Sequence, residues 1–523
     1  MSVDAVFNFY IDLTRDGDYA DADENVSAYV KRAEWQLGFM PPMEAIARDG
    51  TLSITLNNAS GKFSPEGGSA LSGFKRGRVV KIESVYSAVT RRMMTAWMKS
   101  ARPAPFVWGS RETILDTEGY FSRTQRTEAF VPVQQSVTGD VVIEAILSNS
   151  LIYPPGFSGR WLLGVLGFGE LGQNTVIGAT SDYLDADVGK TTFNYIGDEW
   201  QEGVSVYSAL REVAGREYGY IFLNRNGVLE FWNRHHLLLE TTSQATFTNT
   251  MIGIDYAYGE TVINRVNVKA APRTASGSAV TLGQLDKATK IEAGSSKEIS
   301  FRYTDTSYGA KIAGKNAVAP VQTTDFTANS SEDGSGTNYT TSVTTAITDE
   351  SSSRATVRFT NSAAVDVWLQ VGAKIRGTKI TSYPVVDVVR TNSDSISEFG
   401  YNDYTYPFTM DSVADAEALA DYLLNRYKQP FGVVRSMTLS PRRNDALMTQ
   451  ALTRTVGDRI SIVETQTGVS ADYFIVGERH IVDQASKVYQ VTWYLEPADP
   501  VQYWVLGVTG FSELEQTTRI APL

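Results

Sequence analysis

The sequence predicts a mainly β protein with α+β material set between β-rich ends. Three observations carry this. Alternating apolar and polar stretches recur toward both termini, only two stretches carry a clear 3.6-residue apolar stripe, and the joints between elements are rich in Gly, Asn, Ser and Asp.

In chain order, Ala5 to Leu13 alternates as a strand and is broken by the acidic loop "DGDYADADEN". "GTLSITLNNASGKFSP" follows, with Leu52, Ile54 and Leu56 on one face and a small-residue turn behind them, and "GRVVKIESV" opens the next strand. "GDVVIEAIL" (Gly139 to Leu147) reads as a strand closing this first part. "SVYSALREVAG" then places Val206, Leu210, Val213 and Ala214 on one helical face with Ser205 as N-cap. It leads into "YGYIFLNRNGVLEFWNR", a hairpin turning at Asn226-Gly227. From "VINRVNVKA" the pattern is β again, and the polar stretch from Thr323 to Ser362 reads as wet β-structure with long loops, because "RATVRFTN" and "VDVWLQV" keep their alternation. The second helix begins at Ser412, where "SVADAEALADYLLNRY" sets Val413, Ala416, Leu419, Ala420, Leu423, Leu424 and Tyr427 on one stripe; Pro430 stops it. "DRISIVE", "DYFIVGERHIV" and "YQVTWYLEP" give three closing strands, a small barrel or sandwich.

The chain has 523 residues, too many for one ordinary core, and at ~100–200 residues per domain it predicts about three to five domains. With 42% hydrophobic and 20% charged residues it has the composition of a folded protein. A net charge of −12 argues against long-range attraction to nucleic acid or anionic lipid, so no sequence-specific nucleic-acid binding is expected. Cysteine is absent, which removes disulfides, thiolate metal sites and cysteine nucleophiles. The N-terminal residues lack the basic start and apolar run of a secretory signal, and the most apolar stretch, "RWLLGVLGFGELG", is shorter than the ~20 residues that cross a bilayer. No membrane span is expected.

The motifs that suggest chemistry are each better read as structure. "GFGELG" has G-x-G-x-x-G spacing at Gly167, Gly169 and Gly172, but the "QNTVIGAT" that follows is poor helix material, so a packed turn is expected. Three histidines, His235, His236 and His480, cannot make the usual zinc ligand sets, and no G-x-S-x-G elbow accompanies them. Two acidic clusters, Asp16, Asp18, Asp21 and Asp23, and Asp182, Asp185 and Asp187, lack the pattern of a calcium loop and read as solvated turns, the first being the weak candidate for a hard cation. A carboxylate pair able to hydrolyse a glycoside needs only a defined separation, which sequence does not reveal. "EFGYNDYTYPF" crowds Tyr401, Tyr404 and Tyr406 into a short stretch suited to cross-strand packing or subunit contact.

Taken in order, these stretches resemble the tail hub proteins of tailed bacteriophages. "IDLTRDGDYADADENVSAYV" and "GTLSITLNNASGKFSP" with "GFKRGRVVKIESV" resemble that family's N-terminal barrel; "SALREVAGREYGYIFLNRNGVLEFWNR" resembles its helix and hairpin. "VINRVNV", "LQVGAKIRGTKI", "SISEFGYNDY", "ADAEALADYLLNRYKQP", "VGDRISI" and "YFIVGERHIVD" are similar to later family segments, in the same order. "RWLLGVLGFGELGQN" and the terminal "YWVLGVTGFSELEQTTRIAPL" depart from the pattern.

The resemblance implies two tail-tube-like β-barrels plus one or two α+β domains: residues 1–148 a first barrel domain, 149–258 an α+β domain, 259–410 a β-rich domain with a Ser/Thr-rich insertion, 411–502 a helix with the closing barrel, and 503–523 an extension. It implies a structural virion protein rather than an enzyme, with no cofactor. The expected assembly is a homotrimer at the distal tail tip, assembled in the host cytoplasm and gating the DNA channel. Its partners would be the tail tube or distal tail protein, a tail fibre or tip protein and the tape measure protein. The interface residues expected on this reading are Phe63, Phe74, Arg76, Arg78, Tyr401, Tyr404, Tyr406, Trp504 and Phe511. The alternative is a tail-associated glycan hydrolase or polysaccharide-binding module acting on the host envelope.

Overall fold

The computed structural model describes residues 3–104, 111–150, 152–156, 183–200, 203–305 and 309–498. Strands dominate, as the alternation requires, and twelve of them form one sheet. Six come from the N-terminal region: β1 (Val6–Ile11), β2 (Val30–Gly38), β3 (Thr51–Asn57), β4 (Val79–Tyr86), β5 (Val89–Pro103) and β6 (Glu112–Glu118). Six come from later in the chain: β7 (Thr246–Thr248), β8 (Gly253–Tyr258), β9 (Gly432–Leu439), β10 (Arg459–Glu464), β11 (Val469–Asp483) and β12 (Val488–Pro497). The order is β1-β4-β5-β6-β3-β2-β11-β12-β9-β8, with β10 on β11 and β7 on β10.

Each set is built around one strand of 15 residues, β5 or β11. Met93 to Met98 and Tyr473 to Glu478 are buried without alternation, so both long strands are covered on both faces where they cross the core. β11 divides one edge between two partners: Val469 to Phe474 pair with β10, and Gly477 to Asp483 pair with β2. That second pairing fuses the two sets. It depends on close backbone approach at a glycine pair, since a Cβ on Gly477 would lie 2.0 Å from the Phe39 carbonyl oxygen and one on Gly38, at φ +82°, 2.5 Å from that of Val476.

A single hydrophobic core runs under both sets and takes in helices α1 (Gly139–Ser150) and α2 (Val206–Glu217) and the antiparallel hairpin Tyr220–Leu223 with Leu229–Trp232. A second core lies within residues 282–375, the polar region that keeps its alternation. A third lies between the sheet Val386–Thr391, Arg265–Ala270, Asp403–Met410 and helix α3 (Val413–Tyr427). Helix α4 (Asp445–Thr453) returns the chain to the first core. The expected division at 148 falls inside α1, and the one at 410 falls between a strand and α3, which share the third core.

The helices at 206 and 413 start where their caps predict: Ser205 Oγ accepts the Ser208 amide at 3.1 Å and Ser412 Oγ the Asp415 amide at 3.0 Å. Gly139 to Leu147, expected as a strand, is the helix α1. Its β-branched run misleads, but Val142, Ile143, Ile146 and Leu147 are fully buried while Val141 is exposed, which is helical spacing. "GFGELG" lies outside the described residues. Among the described residues no helix is long and apolar enough to cross a membrane.

Candidate functional site

Two sites stand out, a closed polar one inside the first core and an open one between the first and third cores. The closed one is centred on Glu478 of β11. Arg225, from the tip of the hairpin, reaches across the core and grips both carboxylate oxygens of Glu478, at 2.6 and 2.5 Å. Its remaining N–H groups donate to the Leu452 and Arg454 carbonyls at 2.8 and 2.6 Å, satisfying the C-terminal end of α4. His480 sits 3.1 Å from Glu478 through Nε2 and 3.1 Å from the Tyr489 hydroxyl through Nδ1. An ionised Glu478 only accepts, so Nε2 carries the proton and Nδ1 accepts from Tyr489. Trp35 stacks on the imidazole, with centroids 4.8 Å apart and planes 4° apart. Burial would raise the Glu478 pKa, but Arg225 and His480 outweigh it and hold the carboxyl down at about 2; burial lowers that of His480. The charged groups here are matched, while the buried Trp35 indole N–H has no hydrogen-bond partner among the described residues, and the site ties hairpin, α4 and β11 together.

The open site is a cleft of about 540 Å³ among the three elements that end near α2: the hairpin, the edge strand Asp403–Met410, and the β8–β9 end of the large sheet. Its aromatic wall follows from how α2 ends. Tyr218 takes the left-handed conformation (φ 55°, ψ 35°) that terminates the helix, which places its ring 5.9 Å from Tyr406 and 6.0 Å from Tyr422. Tyr406 donates its hydroxyl to the Gly215 carbonyl at 2.6 Å, and Gly215 is required there because a Cβ would lie 2.4 Å from the Phe408 ring. Burial pushes the Tyr218 and Tyr406 hydroxyls well up, and neighbouring tyrosines add to it. Glu496, at the end of β12, accepts the Met43 amide at 3.1 Å; burial raises its pKa, against the pull of Arg426 and that amide. Arg211, on α2, lies over the Phe408 ring at 5.1 Å and makes no ion pair among the described residues. Arg211 and Phe408 also border a second hollow of about 290 Å³, lined further by Glu212, Arg216, Arg273 and the exposed Glu199; Arg216 and Arg273 pair with the buried Asp411, and Arg273 also with Asp198 and Glu199.

The residues expected at interfaces separate into two kinds. Phe63 and Phe74 are buried against each other, with centroids 5.6 Å apart, and Phe63 also meets Tyr29 at 5.2 Å. The turn between β3 and β4 is thus pinned onto the chain's own core, and each ring contributes about 1.5–3 kcal/mol by leaving water. Tyr406 is likewise buried, inside the third core. Arg76 is exposed and reaches Glu118 at 3.1 Å, sharing it with Arg123 and Arg126; Arg78 donates through Nε to the Gly73 carbonyl at 2.8 Å. Tyr401 is 62% exposed and Tyr404 is half-buried at the cleft. Trp504 and Phe511 lie outside the described residues.

The acidic loop spends its carboxylates locally. Asp16 accepts the Asp18 amide at 3.1 Å, Asp18 that of Ala20 at 3.0 Å, and Asp23 pairs with Lys62 at 2.9 Å. Among the described residues no group of three or more His, Asp or Glu side chains is placed to hold a metal ion. Asp187 holds His236 at 2.8 Å, and His236 opens a short helix, His236–Leu239. Sequence reasoning missed Arg225, Arg211 and Glu496. Arg225 in "NRNG" reads as a solvated turn residue, and a lone arginine beside a G at i+4 carries no letter-level sign of an aromatic neighbour 197 residues on.

No protein-family model matches the chain and no curated protein is similar to it. Among solved structures, the chain is similar to a tail protein from Neisseria meningitidis MC58, with a TM-score of 0.47 and 10% identity over 94% of this chain and 96% of the other. It is also similar to the 43 kDa tail protein of prophage MuSo2 from Shewanella oneidensis, with a TM-score of 0.45 and 8% identity over 94% and 98%. A third likeness is to prophage tail protein gp18 from Listeria monocytogenes EGD-e, with a TM-score of 0.41 and 7% identity over 93% and 94%.

Proposed function

We propose that the chain is a structural protein of a phage-type tail, acting as a trimeric hub at the distal end of the tail and joining the tube to the tip or fibres. The carrying observation is the fused sheet: two sets of six strands, each around one 15-residue strand, joined where β2 pairs β11. A chain with two such units, repeated three times, offers six positions around an axis, which suits a three-fold tip under a six-fold tube. The collinear resemblance of the sequence to tail hubs supports the same reading.

On this reading the unit divides as a pair of barrels with α+β material between them, the location is the virion tail tip, and the partners are tube, distal tail, fibre or tip and tape measure proteins. Tyr401, Tyr404, Arg76 and Arg78, which retain exposed surface, are the interface residues on this reading, together with Trp504 and Phe511, which lie outside the described residues. Light scattering on the purified chain tests the oligomer: three chains of 57.4 kDa give about 170 kDa. Tyr404→Asp is expected to reduce the trimer; an intact trimer removes Tyr404 from the interface.

A second reading, an envelope-glycan hydrolase or binding module, draws on the raised pKa of Glu496 in an aromatic cleft, the setting of a general acid. Clearing of purified cell wall in a gel, abolished by Glu496→Gln, would favour it; no clearing at any pH would exclude hydrolysis.

A further inference from the structure

The open cleft has features that select its occupant. Two strand edges reach it. Asp403–Met410 is the outer strand of its three-stranded sheet and contributes Tyr404, Pro407 and Phe408; Gly253–Tyr258 is the last strand of the large sheet and contributes Ala257. An outer strand presents amide and carbonyl groups to whatever lies beside it, a demand met by another polypeptide backbone far better than by a sugar. Pro407 fits an edge, since proline has no amide to give a ladder. Between the edges the lining sets aromatic and aliphatic groups beside charged ones, Glu44, Glu260 and Glu496 among them, and Tyr404, Phe408 and Phe431 are only partly covered. Arg211 also lines the cleft, over the Phe408 ring and without an ion pair among the described residues, whereas Arg435 pairs with Glu260 and Arg426 donates to the Pro497 carbonyl at 3.0 Å.

From this geometry we propose that the cleft receives an extended polypeptide segment of another protein, laid along the free edge of Asp403–Met410. Its apolar side chains seat among Tyr404, Phe408 and Phe431, and an acidic side chain meets Arg211. The backbone supplies affinity through ladder hydrogen bonds, alternate side chains supply the apolar fit, and the carboxylate fixes register through a charge-assisted contact with a guanidinium already held by its ring. A cleft of about 540 Å³ has room for the side chains of a few residues, as a short strand requires. The inference goes beyond the tail reading and does not need it; Tyr404 stands both at the proposed trimer contact and at the cleft, so the two are separated at Arg211, where a change to Glu should weaken segment capture and leave the light-scattering mass unaltered.

The test is selection from a random dodecapeptide library on the full-length chain. Enriched peptides are expected to alternate aromatic or β-branched residues and to carry Asp or Glu, and Arg211→Glu should weaken them at least tenfold while Arg211→Lys retains part of the binding. Because a variant can fail for reasons of folding, hydrogen exchange on the unaltered chain provides the second readout: amides within 403–410 should slow when an enriched peptide is bound. Absence of an enriched family, or enriched peptides that bind Arg211→Glu equally well and leave exchange at 403–410 unchanged, overturns the proposal. So does enrichment only of peptides that compete with a second copy of this chain at another face.

Discussion

The Glu478 joint and the aromatic cleft are both places where charged groups leave bulk water, yet they have opposite character. At the joint, Arg225 has a carboxylate and two helix-end carbonyls, His480 has a partner on each ring nitrogen, and the Glu478 carboxyl is held far below its usual range. At the cleft, Arg211 has a ring and no ion pair among the described residues, and the Glu496 carboxyl is pushed above its usual range. Burial pushes both carboxyls up; at the joint Arg225 and His480 outweigh it, whereas at the cleft the pull of Arg426 and of the Met43 amide does not. The difference separates a site that has finished its bonding within the chain from one that has left some of it for another molecule.

The largest way to break the comparison is at the joint. Arg225→Ala or Glu478→Ala leaves an uncompensated buried charge and should cost ~3–5 kcal/mol in urea unfolding. Replacing both by apolar residues should cost clearly less than the sum of the single changes, and equal or greater loss would show that the pair is not acting as a unit. Next is Gly215→Val, which drives a side chain into the Phe408 ring and should cost ~1–3 kcal/mol while disturbing the Tyr406–Gly215 bond at the cleft.

The pH responses should carry opposite signs. For Glu478, with a folded pKa of about 2 against 4.5 unfolded, the unfolded chain binds the proton first, so stability is complete above about pH 4.5 and is lost as pH falls toward 2. Neutral His480, lowered from 6.5, adds to acid loss below that value. Glu496, raised above 4.5, makes the folded chain the better proton acceptor, so its contribution is present below 4.5 and is lost as pH rises through its folded value. Melting curves of Glu478→Gln and Glu496→Gln across pH should therefore flatten opposite limbs of the profile, and flattening of the same limb would break the contrast. The smallest effect is expected at Arg211: Arg211→Glu should shift unfolding by no more than ~0.5 kcal/mol, because no carboxylate among the described residues pairs with it.

Much of the fold was legible because its signals are local. Leu52, Ile54 and Leu56 announce a buried strand face, Ser205 and Ser412 announce helix starts, and Asn226-Gly227 announces a hairpin; all four features appear where the letters place them. Gly139 to Leu147 was also legible had the spacing of its buried residues been weighed above their β-branching. The fusion of the two strand sets was not legible, because it depends on Gly38 meeting Gly477 across more than four hundred residues. The sites were hidden for the same reason. Arg225 reads as a turn residue until Glu478 is known to lie under it, and Phe63, expected at an interface, is covered by the chain's own Phe74 and Tyr29.

The most direct test of the tail-hub account is to locate the chain in assembled particles. Gold-labelled antibody against it, imaged by negative stain on tails assembled with its neighbouring proteins, should mark one end of each tail and nothing else. Label spread along the tube, or tails that assemble fully without the chain and carry no label, would contradict it.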